Sequence, residues 1–270
     1  MAVFTISEIN IYPIKSLGGV SLQRAQVEER GFRHDRRWML IDADNNFLTQ
    51  RQHAQMALLQ VALQEQGLEI SHKQGLLEPL LVPFGQTEGP ALQVQIWDDT
   101  CTALEVSAAV SAWFTEALQM PARLVYMPSD SERKVDPNYA QENEIVGFAD
   151  GYPFLLIGQA SLNDLNSRLQ EPVPMNRFRP NLVFTGAAPF AEDEFDSFKI
   201  GQISFRVSKP CARCIVTTID QASAEKGAEP LKTLATYRVI NKKVMFGQNL
   251  VHEGAGELQL GDELVVEKWK

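Results

Sequence analysis

Two of the chain's three cysteines lie in one short stretch, Lys209-Pro210-Cys211-Ala212-Arg213-Cys214-Ile215-Val216-Thr217-Thr218-Ile219-Asp220. The cationic Arg213 directly precedes Cys214, and a neighbouring cation favours the thiolate, which is the form that acts as nucleophile or metal ligand. The β-branched run after Cys214 predicts a strand, so we expect Cys214 at the mouth of a strand. Three interpretations stay open: a dithiol redox pair, half of a zinc site, or a single thiolate that ligates another metal.

The surrounding sequence provides evidence against some of these interpretations. A structural zinc site needs four ligands, but Cys101 has no Cys or His within four residues and the four histidines show no paired spacing. A Cys-x-x-Cys pair in a redox protein ordinarily leads into a helix, whereas the residues after Cys214 are poor helix formers. Free cysteines are also commonly buried core thiols without chemistry, and composition alone gives that interpretation equal weight.

Composition limits the class of protein. The chain has 270 residues, 44% of them hydrophobic, which is enough for one large or two modest domains. A net charge of −9 argues against a nucleic-acid polymer as partner. No apolar stretch approaches the roughly 18 residues of a membrane span, and the N-terminus lacks a signal-peptide pattern. Three cysteines favour neither a disulfide scaffold nor a four-cysteine iron–sulfur cluster. We therefore expect a soluble cytoplasmic protein without a membrane partner.

Short alternating segments with few helices predict an α+β, β-rich fold with barrel character. The predicted helices are 107–118, capped by Ser107, 160–169, with Ser161 and Asp164 as a capping box, and 230–237. The predicted loops are 15–19, 74–90 and 127–147, and the last is the expected boundary between a domain of residues 1–126 and one of 127–270. The predicted strands are 3–14, 38–41, 47–49, 58–63, 68–71, 92–97, 123–126, 154–157, 181–184, a hairpin over 198–205 turning at Gly201, 246–251 and 264–266.

Charged residues in unusual places suggest an anion pocket. Six arginines crowd into one early stretch of an acidic chain, just after the Lys15-Ser16 loop. Guanidinium forks, hydroxyls and loop amides bind phosphate-like anions, although a solvated face accounts for most such arginines. Asp150 stands between apolar residues before a buried-looking strand, and it is either a turn aspartate or a carboxylate at the rim of a pocket. The six arginines are Arg24, Arg30, Arg33, Arg36, Arg37 and Arg51.

Several fragments, taken in order, resemble a known family. They are Tyr12-Pro13-Ile14-Lys15-Ser16, Asp35-Arg36-Arg37-Trp38, Pro153-Phe154-Leu155-Leu156-Ile157, Ala160-Ser161-Leu162-Asn163-Asp164-Leu165-Asn166, Phe178-Arg179-Pro180-Asn181, Arg213-Cys214-Ile215-Val216-Thr217-Thr218 and Phe246-Gly247-Gln248. The set resembles MOSC (molybdenum cofactor sulfurase C-terminal) proteins that carry an N-terminal MOSC β-barrel-like domain. Among these it resembles the mitochondrial amidoxime reducing component and its bacterial counterpart in 6-hydroxylaminopurine resistance.

The resemblance implies a fold, a cofactor and roles for particular residues. It implies a MOSC β-barrel domain preceded by a smaller β-barrel-like domain, and a molybdenum cofactor (Mo-molybdopterin) with Cys214 as the protein ligand of the metal. Asp150 would be the acidic catalytic group in the metal pocket, and Cys211 a supporting thiol. Arg213 would help to keep Cys214 deprotonated. The implied cofactor-binding residues are Lys15, Ser16, Arg36, Gly151, Tyr152, Arg179, Asn181, Ala212, Arg213 and Asn249.

Function follows from the same resemblance. We expect a reductase of small N-hydroxylated substrates, such as hydroxylamines, amidoximes and N-hydroxylated bases. The bacterial counterpart carries a ferredoxin-like segment whose cysteines are not seen before Lys270, so a separate ferredoxin- or flavin-type electron donor is expected. The family also implies a role in detoxification and an association with pyridoxal phosphate binding. The alternatives are a sulfur or molybdenum-cofactor carrier, using a cysteine persulfide or thiolate, and a metal-free thiol protein.

Overall fold

The largest sheet of the protein closes into a β-barrel. The computed structural model describes residues 3–140 and 144–270. Its strands are β1 (Phe4–Ile11), β2 (Val20–Leu22), β3 (Arg24–Glu28), β4 (Gly31–Phe32), β5 (Trp38–Ile41), β6 (Leu59–Gln64), β7 (Gly67–His72), β8 (Leu80–Pro83), β9 (Ala91–Ile96), β10 (Asp99–Glu105), β11 (Arg123–Tyr126), β12 (Phe154–Gly158), β13 (Leu182–Thr185), β14 (Phe195–Ile200), β15 (Ile203–Ala212), β16 (Val239–Ile240), β17 (Lys243–Glu253), β18 (Gly256–Gln259) and β19 (Glu263–Trp269).

The barrel closes because β12 pairs on both of its edges. The order is β12-β13-β1-β19-β14-β15-β17, and β17 pairs with β12 again to complete the ring. Closure leaves no free edge along this ring and encloses an apolar interior. Aromatic rings such as Phe154, Phe198 and Phe205 fill it, and each is at most 1% exposed. Strand β1 comes from the first part of the chain, so the barrel is not built from residues after 126 alone; the division of the chain at that residue stays a prediction.

The rest of the first part consists of small antiparallel sheets beside the barrel. One has the order β5-β11-β10-β9 and another the order β6-β7-β8. Helix α1 (Ala108–Leu118) covers them with Val110, Phe114 and Leu118. Ser107 caps α1 as predicted, since its Oγ accepts a hydrogen bond from the Val110 amide at 3.2 Å. Helices α2 (Gln159–Ser167) and α3 (Leu231–Leu234) lie in the second part. None of the helices described here is long and apolar enough to cross a membrane.

The segment after Cys214 is not a strand, and the prediction was wrong. Ile215–Thr218 forms a 3₁₀ turn, in which the Thr217 hydroxyl donates to the Cys214 carbonyl at 3.0 Å and the Thr218 hydroxyl donates to Ile215 at 2.8 Å. Threonine hydroxyls thus supply a local alternative to strand pairing. The long strand β15 instead precedes the motif, so Cys214 follows the end of a strand.

Three further predictions of local structure were wrong. Residues 74–90 are not all loop, because β8 pairs with β7 within them. Residues 47–49 are not a strand, and Phe47 forms only an isolated bridge to Ile41. Ser161 does not cap a helix: α2 already begins at Gln159, and the Ser161 hydroxyl donates to the buried Glu192 carboxylate at 2.9 Å. Of the predicted loop 127–147, residues 141–143 lie outside the described part, and the rest contains no helix or strand.

Candidate active site

One cleft collects all twelve predicted site residues. Strand pairing brings two of them close together, since Asn249 pairs with Leu155 and the Asn181 amide donates to the Leu155 carbonyl at 2.9 Å. Loops from the first part of the chain form the opposite wall. The cleft and its open mouth enclose about 850 Å³. The predicted residues that line it are Lys15, Ser16, Arg36, Asp150, Gly151, Tyr152, Arg179, Asn181, Ala212, Arg213, Cys214 and Asn249.

The cleft is cationic in a protein of net charge −9. Five of its lining side chains are basic and Asp150 is the acidic one. Concentrating like charges costs free energy unless an anion or a buried acceptor offsets the repulsion. Such a wall therefore favours an anionic ligand. The basic residues are Lys15, Arg36, Arg51, Arg179 and Arg213.

A buried ion pair fixes Arg36. Its Nη1 donates to the Asp35 carboxylate at 2.6 Å and to the Asn181 Oδ1 at 2.9 Å. The Asp35 side chain is 2% exposed and also accepts from the Tyr12 amide and from Asn181 Nδ2. Burial raises the pKa of Asp35, although the charge and hydrogen bond of Arg36 oppose that rise. Both ends of the Asn181 amide are used within the protein, so Asn181 positions Arg36 and closes the floor of the cleft.

Arg179 extends this arrangement. Its guanidinium and that of Arg36 lie 4.2 and 4.3 Å from the centroid of the Tyr12 ring, a geometry of cation–π attraction. Burial lowers the pKa of Arg179 to about 10, and it still leaves the side chain charged at neutral pH. Ser16, Arg36 and Arg179 all have left-handed backbones, with φ of 66°, 46° and 56°. Non-glycine residues in this region store strain, which concentrates at functional sites.

Lys15 and Asp150 form the polar centre of the cleft. The buried Lys15 ammonium donates to Asp150 Oδ1 at 2.5 Å and to the Phe148 carbonyl at 2.9 Å, which leaves a third N–H available. Burial lowers the pKa of Lys15 to about 8, against the opposing charge of Asp150. Desolvation alone would raise the pKa of Asp150, but the charges and hydrogen bonds of Lys15 and Arg51 outweigh it and hold that pKa far below its usual range. Asp150 is therefore ionised at neutral pH.

Arg51, rather than Arg213, contacts the candidate metal ligand. Arg51 Nε donates to Cys214 Sγ at 3.3 Å and Nη2 donates to Asp150 Oδ2 at 3.1 Å. Arg213 instead donates to Cys211 Sγ at 3.0 Å and to the Phe178 carbonyl. The expected help of Arg213 in keeping Cys214 deprotonated therefore has no direct hydrogen bond behind it, because the Arg213 guanidinium is directed at the preceding cysteine. In the sequence Arg51 stands with the other early arginines, and no motif there places it in the site.

The remaining predicted residues differ in what they offer. Gly151 has open space where a Cβ would point. The Tyr152 hydroxyl is buried and has no hydrogen-bond partner within 3–140 and 144–270, and burial raises the pKa of Tyr152. Ala212 is exposed, and Asn249 is half-buried between β12 and β15. Their roles in cofactor binding stay predictions.

The barrel with its cationic, thiol-bearing cleft defines a β-rich protein whose cleft favours an anionic ligand. Family models match two segments: the MOSC N-terminal beta barrel domain over residues 3–121 and the MOSC domain over residues 143–265. The chain belongs to the family of MOSC-domain proteins with this N-terminal domain, as the sequence resemblance predicted, and the predicted β-rich fold class is confirmed.

Individual relatives agree with this assignment. Mitochondrial amidoxime-reducing component 1 of Mus musculus is 31% identical over 96% of this chain and 81% of its own length. Mitochondrial amidoxime reducing component 2 of Rattus norvegicus is 33% identical over 96% and 82%. The molybdenum cofactor sulfurase of Arabidopsis thaliana is 32% identical over 92% of this chain but only 33% of its own length. The likeness thus spans both matched segments.

Replacing Arg36 with Met tests the buried ion pair. The change leaves the Asp35 carboxylate buried without its charged partner, and we expect the free energy of unfolding to fall by about 3–5 kcal/mol at pH 7 in urea titrations. Because the raised pKa of Asp35 rises further in the variant, its folded state binds a proton that the unfolded state does not. The loss should therefore shrink as pH falls from 7 towards 4.

Two further variants serve as controls for this prediction. Asp35→Asn combined with Arg36→Met should recover part of the lost stability, because no charge is then left buried. Arg37→Met, at the neighbouring position and with no carboxylate partner among residues 3–140 and 144–270, should cost less and should show no pH-dependent recovery. A pH-independent loss in Arg36→Met would contradict the account.

The lowered pKa of Lys15 predicts pH-dependent anion binding. Sulfate keeps a constant charge across this range and can serve as a probe of cofactor-free protein in calorimetry. As pH rises from 7 to 9 the Lys15 ammonium loses its proton, and sulfate affinity should fall by up to about thirtyfold, because one unit charge about 4 Å from a divalent anion contributes about 2 kcal/mol in water. Lys15→Arg should bind sulfate without this step. A step that persists in Lys15→Arg would assign the titration to another group.

Proposed function

We propose that this protein is a molybdenum-cofactor-dependent oxidoreductase that reduces N-hydroxylated compounds to the corresponding amines or amidines. Two electrons and two protons are consumed, the N–O bond breaks, and its oxygen leaves as water. The electrons come from a separate ferredoxin- or flavin-type donor. The observation that carries the proposal is the position of Cys214, whose sulfur faces a cleft with five basic side chains and an ionised carboxylate. The names of the amidoxime-reducing relatives support the same reaction class.

The residues of the cleft fit such a cofactor chemically. A thiolate is a soft ligand of the kind that suits molybdenum, and basic side chains with loop amides suit a phosphate. Arg213 Nε is buried and lacks a hydrogen-bond partner in the described part of the chain, so it has a donor to offer a ligand. Cys214 would ligate the metal, and Lys15, Ser16, Arg36, Arg179 and Arg213 would hold the anionic pterin. When bound, the cofactor supplies the two-electron redox chemistry.

The chain's own groups would orient the substrate and manage its protons. Asp150 is ionised at neutral pH and accepts a hydrogen bond from the substrate's N–OH group. The Lys15 ammonium donates a hydrogen bond to Asp150 at 2.5 Å. The pKa of Lys15, about 8, lies closer to neutral pH than the pKa of Asp150 does. A group with such a pKa is suited to general acid catalysis, so we assign the proton that leaves with water to the Lys15–Asp150 pair. Arg51 holds Asp150 and the Cys214 sulfur in fixed relation.

A second candidate function is carriage of sulfur or of the cofactor itself. The likeness to a molybdenum cofactor sulfurase supports it, and so does the partly exposed Cys211 thiol, which Arg213 contacts at 3.0 Å. A persulfide on either cysteine, together with no reductase activity in cofactor-loaded protein, would favour this candidate. Cytoplasmic location, detoxification and pyridoxal phosphate binding stay predictions.

The reductase proposal predicts opposite effects for the replacement of the two cysteines. Cys214→Ala should lose reduction of a model amidoxime altogether and should change the visible and electron paramagnetic resonance spectra of the metal, because the protein ligand is gone. Cys211→Ala is the matched control and should keep the spectra and most of the activity. Full activity in Cys214→Ala would overturn the assignment, and loss of activity confined to Cys211→Ala would favour sulfur carriage.

A further inference from the structure

A second cavity opens directly beside the cleft. The two share Thr49 and Arg51, so they lie on either side of these residues. This cavity, the vestibule, encloses about 910 Å³ including its mouth, and its walls include Phe47, His53, Trp97 and Met120. A compound that enters the cleft from this side passes aromatic and apolar side chains before it reaches Asp150.

Trp97 occupies an unusual position in the vestibule. It begins the two-residue turn between β9 and β10, where Ile96 pairs with Asp99, and its φ is 55°. Hairpin turns ordinarily place glycine, asparagine or aspartate at such a position, because a side chain there is strained. A bulky indole keeps this strained conformation only where surrounding contacts hold it, and such strained residues are concentrated at functional sites.

Contacts with the candidate active site hold the indole in place. The Arg51 guanidinium lies 4.3 Å from its centroid, and the Phe47 ring lies 4.8 Å away at an interplanar angle of 60°. The indole N–H donates to Asp150 Oδ1 at 3.4 Å. Even so, Trp97 remains 38% exposed. The protein therefore presents an immobilised aromatic surface next to the carboxylate that we assign to substrate orientation.

Charge decides which ring this surface accepts. Lys15 and Arg51 both contact Asp150, so the local balance is positive and disfavours a cationic ring. An uncharged planar ring loses little hydration free energy when it leaves water, and it gains a favourable stacking interaction with the indole. A ring stacked on Trp97 would place a substituent near Asp150 and Arg51, and Arg51 contacts Cys214 directly.

We propose that Trp97, supported by Phe47, selects N-hydroxylated substrates that carry an uncharged planar aromatic or heteroaromatic ring. The inference rests on the proposed reductase function and adds the class of substrate that the vestibule favours. It assigns Trp97 to substrate specificity, through stacking on the ring rather than through its hydrogen bond to Asp150.

Two variants separate these two effects. Trp97→Phe keeps a ring but loses the N–H, while Trp97→Leu loses both. With cofactor-loaded enzyme, Trp97→Leu should lower kcat/KM for benzamidoxime about tenfold, mainly through KM, and should lower kcat/KM for acetamidoxime by a clearly smaller factor, which reports the loss of the hydrogen bond to Asp150. Trp97→Phe should keep most of the preference for the aromatic substrate. Trp269→Leu removes an exposed tryptophan outside both cavities and is the matched control.

A binding measurement in Cys214→Ala protein gives an answer that does not depend on turnover. Benzamidoxime should quench the tryptophan fluorescence of this protein and acetamidoxime should not, and the quenching should disappear when Trp97→Leu is added. Equal losses for both substrates in Trp97→Leu, or quenching that survives the change, would overturn the inference. If the wild-type enzyme reduces neither compound while quenching follows Trp97, the reductase proposal fails and the aromatic site stands.

Discussion

The buried contact between Asp35 and Arg36 is the constraint on which the site depends. A carboxylate and a guanidinium inside a protein are tolerated only when each is fully paired, and here the pairing needs groups from distant parts of the chain. Asn181, which precedes a barrel strand, bonds to both residues, and the Tyr12 amide supplies another donor. The first part of the chain is thereby locked to the barrel, and the cationic wall is held opposite Cys214.

A chain of polar contacts then links the two walls. Lys15 bonds to Asp150, Asp150 to Arg51, and Arg51 to the Cys214 sulfur. The charges of Lys15 and Arg51 keep Asp150 ionised. Burial of the Lys15 side chain brings the pKa of its ammonium close to neutral pH. The Lys15 ammonium, the Asp150 carboxylate and the Cys214 thiol thus lie within one connected network, which is the arrangement that the proposed function requires.

Much of this arrangement could be predicted from the sequence, because short motifs fix local chemistry. The twelve predicted residues line one cleft, and the cap at Ser107 and the hairpin at Gly201 were predicted correctly. Side-chain direction could not be predicted. The guanidinium that contacts Cys214 is that of Arg51 and not that of Arg213. This depends on the 3₁₀ turn after Cys214, which a run of β-branched residues does not predict, and on strand pairing between residues far apart in the chain. Trp97 did carry a signal, since it ends an alternating segment just before two aspartates, but its importance depends on Asp150 lying beside it in space.

Elemental analysis of the natively expressed protein, combined with detection of the oxidised pterin, shows whether the cleft binds a molybdenum-bearing pterin. The account holds that the cationic cleft and Cys214 together bind a molybdenum-bearing pterin. Protein purified from a host that makes this cofactor should contain molybdenum equimolar with the chain, together with the pterin. Well-folded protein from such a host that contained neither would contradict the account.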